Sequence, residues 1–123
     1  MPPAPRENLL TTSLIEIAVE SWRFLRVIER VALSLDADQQ KRVVSRFHYF
    51  QKRVTDTLEG AGLKLVILDG SQFGPGLAAT AVNAGDFEPG DLLEVDQTLE
   101  PVVMGADGVI RTGTVTLRKV VAP

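Results

Sequence analysis

A helix that is apolar over well over half of its circumference needs neighbours on at least two sides, and the front of this chain encodes one. At ~100° per residue, Leu10, Leu14, Ile17, Ala18, Phe24, Leu25, Ile28, Val31, Ala32 and Leu35 share a face. Ile15, Val19, Trp22 and Leu33 widen it, and Glu16, Arg23, Arg26, Arg30 and Ser34 leave only a narrow polar strip. Ser13 followed by Glu16 is a capping-box pattern, so the helix begins there or a turn earlier near Glu7, and it runs to about Ser34. One following helix cannot cover so wide a face, so the expectation is a homodimeric helical bundle, with an enclosed monomeric core as the alternative. Trp22 and Phe24 are read as core or dimer contacts. Leu14, Ile17, Trp22, Phe24, Leu25, Ile28 and Val31 are the expected dimerisation residues.

Asp36-Ala37-Asp38 supplies the N-cap of a second helix near 37–59. Val43, Phe47, Phe50, Val54 and Leu58 give it one apolar side, while Lys41, Arg42, Arg46, Lys52 and Arg53 lie on its other faces as solvated charges. Gly60 and Gly62 end it. Three prolines in the first five residues make 1–6 a disordered lead-in by expectation.

After Gly62 the period changes from helical to strand-like. Leu63–Leu68 reads as a strand and Asp69-Gly70 as a turn; Ser71–Gly76 is a loop carrying one aromatic, Phe73. Residues 77–83 fit a strand or a short helix. Glu88–Asp91 is a turn, and Leu92–Val95 and Leu99–Met104 read as strands, with Pro101 favouring an edge. Asp107-Gly108 signals a two-residue hairpin loop, and Thr114–Val120 closes the domain with one packed and one wet face. The expected fold class is therefore α+β. A two-helix arm over 7–60 dimerises as a helical bundle, and a small antiparallel β head fills 61–123.

Charge and chemistry narrow the function classes. Residues 1–59 carry a net charge of +1 and residues 60–123 a net of −4. Six acids and no base lie between Asp86 and Glu100, which argues against nucleic-acid binding by the β half; the stretch is a solubilising surface or a patch for a basic partner. With no cysteine there is no thiolate nucleophile, disulfide or Cys-based metal site, and this fits a reducing compartment. No apolar run reaches 18 residues and the start lacks a signal-peptide pattern, so a cytoplasmic protein without membrane contact is expected. His48 is the sole histidine and has no companion ligand. Ser45 and Ser71 have no matching base, and the Gly70–Gly76 segment lacks the Lys-Ser/Thr ending of a phosphate loop. The chain reads as a binding protein, not an enzyme, with no cofactor and no metal.

The order of these parts resembles GrpE-type nucleotide exchange factors. The resemblance rests on Phe24–Leu33, on Leu58-Glu59-Gly60-Ala61-Gly62 followed by Leu63–Ile67, and on Gly70-Ser71-Gln72-Phe73-Gly74-Pro75 with Leu77 and Ala79 after it. Asp86–Val95 and Gly113–Leu117 are similar to that family's acidic turn and closing strand. The chain departs from the family pattern at Gly74, at Ala78, at Thr98–Pro101 and at Thr112-Gly113-Thr114, and the residues given include no long N-terminal coiled-coil stalk. The resemblance implies a homodimer whose β head presses on the nucleotide-binding domain of a DnaK-type chaperone ATPase and promotes ADP release. It implies partner contacts at Phe73, Pro75, Met104, Asp107 and Val109. Pro89–Val95, a hairpin and Gly113 are also similar to SpoA-type β modules, which would make the chain a dimeric scaffold or adaptor with no nucleotide-linked role.

Overall fold

The computed structural model describes residues 5–121, with side chains from residue 8 onward. The chain divides into two compact units, one ending at Ala61 and the other beginning at Gly62. The α+β class is observed: two helices are followed by small sheets in which antiparallel pairing predominates.

In the first unit, α1 spans Pro5–Ala32 and α2 spans Ala37–Gly60. Proline is tolerated at a helix's first position because the N–H it lacks has no partner there. The helix consequently starts ahead of Ser13, which with Glu16 lies inside it instead of capping it. Pro5 and Arg6, expected in the lead-in, are helical, and the rest of that lead-in lies outside the described residues. The end of α1 tightens into three-residue hydrogen bonds, from Ser34 N–H to Val31 O at 3.0 Å and from Leu35 N–H to Ala32 O at 3.2 Å. A connection this short turns the chain back on itself, and α2 packs against α1. Asp36 caps α2 as its sequence position implies, its Oδ1 accepting from the Gln39 N–H at 2.9 Å.

The second unit holds two three-stranded sheets. One has the order β1 (Lys64–Val66), β4 (Val102–Gly105), β5 (Gly108–Arg111), all antiparallel. The other has the order β2 (Ala79–Ala81), β6 (Gly113–Lys119), β3 (Leu93–Glu100). Here β3 runs antiparallel to β6, but β2 runs parallel to it, with Ala79 opposite Gly113 and Ala81 opposite Val115. The expected all-antiparallel head is corrected at that one pairing. A long excursion separates β2 from β6, which gives the chain room for the crossover a parallel pair requires.

The core of this unit is Leu68, Val95, Val102, Val115 and Leu117, with Val66, Phe73, Leu77, Phe87, Leu93 and Met104 packed around it. Both sheets contribute: alternation along β6 turns Val115 and Leu117 inward, and β3 and β4 add Val95 and Val102. β3 is longer than its sequence suggests. It continues through Glu100 with irregularities at Val95/Gln97 and Thr98/Glu100, and the break comes at buried Pro101, between β3 and β4. Proline has no N–H to give a ladder, so it sits where the chain leaves one sheet for the other. The outer edge of β3 is covered by the Gly70–Phe73 segment. Gly70 N–H donates to Val95 O at 2.9 Å, Val95 N–H to Ser71 O at 2.8 Å, and Phe73 N–H to Leu93 O at 2.9 Å.

Candidate interaction surface

The wide apolar side of α1 is resolved into two stripes. Ile15, Ala18, Val19 and Trp22 are buried. On the opposite side of the helix, about 180° away at 100° per residue, Leu10, Ile17, Phe24 and Val31 are 61, 67, 63 and 52% exposed. These four recur every seven residues, with half-buried Leu14, Ser21, Ile28 and Leu35 following each by four, and the alternating spacing of four and three is that of a coiled-coil seam. The row extends about 31 Å along the helix at 1.5 Å per residue. An apolar row of that length exposed to water is the signature of an interaction face, since scattered single apolar residues are ordinary and contiguous ones are not.

Of the residues expected to mediate dimerisation, Ile17, Phe24 and Val31 lie in the exposed row and Leu14 and Ile28 flank it half-buried. Leu25 is half-buried as well. Trp22 is buried, with the Arg26 guanidinium 4.9 Å from its ring centroid, an arrangement that holds the cation over the ring face.

Phe24, Leu25 and Ile28 of α1 face Val43, Phe47 and Phe50 of α2 across an open groove of about 340 Å³, edged by Arg42 and Arg46. A smaller depression of about 160 Å³ is lined by Ala32, Leu33, Val44 and His48 together with Ile28, Val43 and Phe47. His48 is exposed and meets the Phe47 ring edge-on at 5.5 Å.

In the β unit the expected contact residues separate into two kinds. Phe73 and Met104 are half-buried and pack on the core, so their side chains are committed to the fold. Pro75, Asp107 and Val109 are exposed. The β4–β5 hairpin brings Met104, Asp107 and Val109 together, with Met104 directly across from Val109. Its loop is Ala106-Asp107, one residue earlier than the Asp-Gly signal suggests, and Gly108 opens β5 with φ 123, a left-handed value that favours glycine. Ile110 is the extra residue of a bulge opposite Val103 and Met104, and its Cδ1 covers Gly105.

The acidic stretch is largely neutralised by bases that the strands bring across to it. Glu94 and Asp96 both accept from Arg118, at 2.8 and 3.1 Å. Asp91 lies 3.6 Å from Lys119, and Glu100 pairs with Arg111 at 2.8 Å. The hydrogen bond to Glu94 and the charge of that carboxylate raise the Arg118 pKa above its ordinary value, with smaller contributions from Asp96 working against desolvation. Asp86 and Glu88 are the two acids of the stretch with no ionic partner among the described residues. Among those residues no group of three His, Asp or Glu side chains is placed to hold a metal ion, and no helix is long and apolar enough to cross a membrane.

Compared with protein-family models, curated proteins and solved structures, the chain matches none of them.

Proposed function

We propose that this chain is a GrpE-like binding protein: it self-associates through α1 and uses its β unit to bind the nucleotide-binding domain of a DnaK-type chaperone ATPase, promoting ADP release. The observation that carries the binding role is the exposed apolar row Leu10–Ile17–Phe24–Val31, since a seven-residue repeat of large side chains loses most by staying in water and gains most by meeting a second copy. The order of parts supports the exchange role. A helical hairpin precedes a separate compact β unit, the arrangement expected of the family whose motifs the sequence resembles.

In this reading the exposed end of the β4–β5 hairpin, with Asp107 and Val109, and Pro75 are the contact residues, and Phe73 and Met104 support them from the core. The protein binds the open, nucleotide-released state of the ATPase better than the closed state. Linkage then requires that it lower nucleotide affinity by the same factor, with no covalent step.

The test is release of a fluorescent ADP analogue from a DnaK-type ATPase of the source organism. Acceleration that saturates with protein concentration supports the proposal. An unchanged release rate in the presence of folded, self-associated protein refutes the exchange role and leaves an adaptor or scaffold role.

A further inference from the structure

Arg42 and Arg46 edge the open groove of the helical hairpin, and neither has an ion-pair partner among the described residues. On α1, Arg23 pairs with Glu20 and Arg26 with Glu29. Arg53 continues the same side of α2, seven residues beyond Arg46, and it too has no ionic partner. From Gln39 to Thr55 the helix contains five basic residues and no acidic one. The rest of the groove lining is apolar: Phe24, Leu25, Ile28, Val43, Phe47 and Phe50.

We infer that this groove is a docking site for an acidic amphipathic helix of a partner protein. Its apolar floor calls for apolar side chains at intervals of three and four, and its two unpaired arginines call for carboxylates along one flank. The charge pattern disfavours a second copy lying in the groove. The β unit's acids are mostly paired already, and a face-to-face hairpin would bring another set of free arginines towards this one. The lining disfavours nucleic acid, because apart from the two arginines it offers no polar group to a sugar or a phosphate, and those groups would be desolvated without compensation. Arginine suits the role, since its planar fork grips a carboxylate through two N–H groups. The groove shares Phe24 with the proposed self-association row and Ile28 with its half-buried flank, so the two events compete for the same side chains.

The probes are two labelled three-heptad helical peptides with leucine at the seam positions, one flanked by glutamate and one by lysine. Each is titrated with the full chain and followed by fluorescence anisotropy. The glutamate peptide should bind at least ten-fold more tightly than the lysine peptide and weaken as salt rises. The double variant Arg42→Glu/Arg46→Glu, altered at two exposed positions, should reverse that order while keeping its helical circular dichroism. Phe50→Ala should weaken both peptides alike. Equal binding of the two peptides, or no binding, overturns the assignment. So does tighter binding of a single-stranded oligonucleotide, which would make the arginines a phosphate site. A self-associated form that excludes the glutamate peptide also overturns it and gives the groove to the second copy. None of these outcomes depends on ADP release.

Discussion

The Thr98 hydroxyl accepts a hydrogen bond from the Leu68 backbone N–H at 2.9 Å, across thirty residues of sequence. Thr98 is the buried polar residue of the β unit, and its own N–H donates to Asp69 Oδ1 at 2.8 Å. Together the two bonds fasten the end of the segment after β1 to the middle of β3. They lie next to Leu68, a member of the core.

Thr98→Val keeps the shape of the side chain and removes the acceptor. The Leu68 N–H is then left buried without a partner, and stability should fall by about 1–3 kcal/mol. Urea unfolding followed by circular dichroism should show a lower midpoint with an unchanged slope. An unchanged midpoint would mean that the amide finds another acceptor.

Two glycines should respond in opposite directions. A Cβ at Gly113 would stand 2.8 Å from the Glu100 carbonyl oxygen and 3.2 Å from Val102 Cγ2, so Gly113→Ala must push the start of β6 away from the backbone where β3 passes into β4. It should cost about 1–3 kcal/mol. Gly60 is the last residue of α2 with open space around it, and Gly60→Ala should stabilise by about 0.4–1 kcal/mol by restricting the unfolded chain. Thermal unfolding of the two variants beside the parent checks both signs.

Asp36→Ala removes the acceptor that holds the Gln39 N–H at the start of α2. The loss should be about 1 kcal/mol, the ordinary value of an N-cap. Asp36→Asn, which keeps an acceptor oxygen, should recover most of it. Equal losses in both variants would show that the carboxylate's charge, and not its hydrogen bond, is what matters there.

Charge placed on the two sides of α1 should separate self-association from folding. Ile17→Asp and Phe24→Asp alter exposed positions, so each should leave helicity intact while raising the dimer dissociation constant by about 30-fold or more, the effect of losing an anchor worth ~2 kcal/mol. Val19→Asp puts an unpaired charge on the buried side and should unfold the protein. Sedimentation velocity at micromolar concentration distinguishes these results. A parent protein that sediments as a folded monomer would refute the self-association itself.

Much of this architecture could be read from residue order, and the reasons are local ones. Asp36 announces α2 because a cap is a contact between residues three apart. The alternation of Val115 and Leu117 with Thr114 and Thr116 is a property of a single strand, and it marks the inner face correctly. What escaped the sequence depends on distant partners. The acids from Asp91 to Glu100 look unpaired in one dimension because Arg111, Arg118 and Lys119 reach them from β5 and β6. The parallel β2–β6 pairing leaves no periodic trace in Ala79–Ala81. Asn83 is a further case. Its side chain donates to Leu117 O at 3.0 Å and accepts from Leu117 N–H at 2.8 Å, taking the place of one more strand residue, and nothing in its neighbours foretells that.

The same holds for the interaction surface. The apolar width of α1 gave notice of an unmet need for neighbours, and the exposed row Leu10, Ile17, Phe24 and Val31 is where that need lies. The sequence did not say which part of so wide an apolar surface would be covered and which left in water, because that depends on what packs against α1. Phe73 and Met104, expected as partner contacts, pack against the core.

The central position of β6 has a consequence for how the molecule is made. Asn83 waits for Leu117, 34 residues later, and β2 and β3 have no shared neighbour until β6 arrives to lie between them. On a ribosome the helical hairpin emerges before the β unit and can close at once, whereas the second sheet stays open until β6 has left the ribosome. During that interval the inner side chains of β3, Val95 among them, are without their β6 partners. Nascent chains stalled with β2 and β3 outside the ribosome and β6 still within it should therefore be protease-sensitive in the β unit alone, and β6 acts as the latch that ends the vulnerable period.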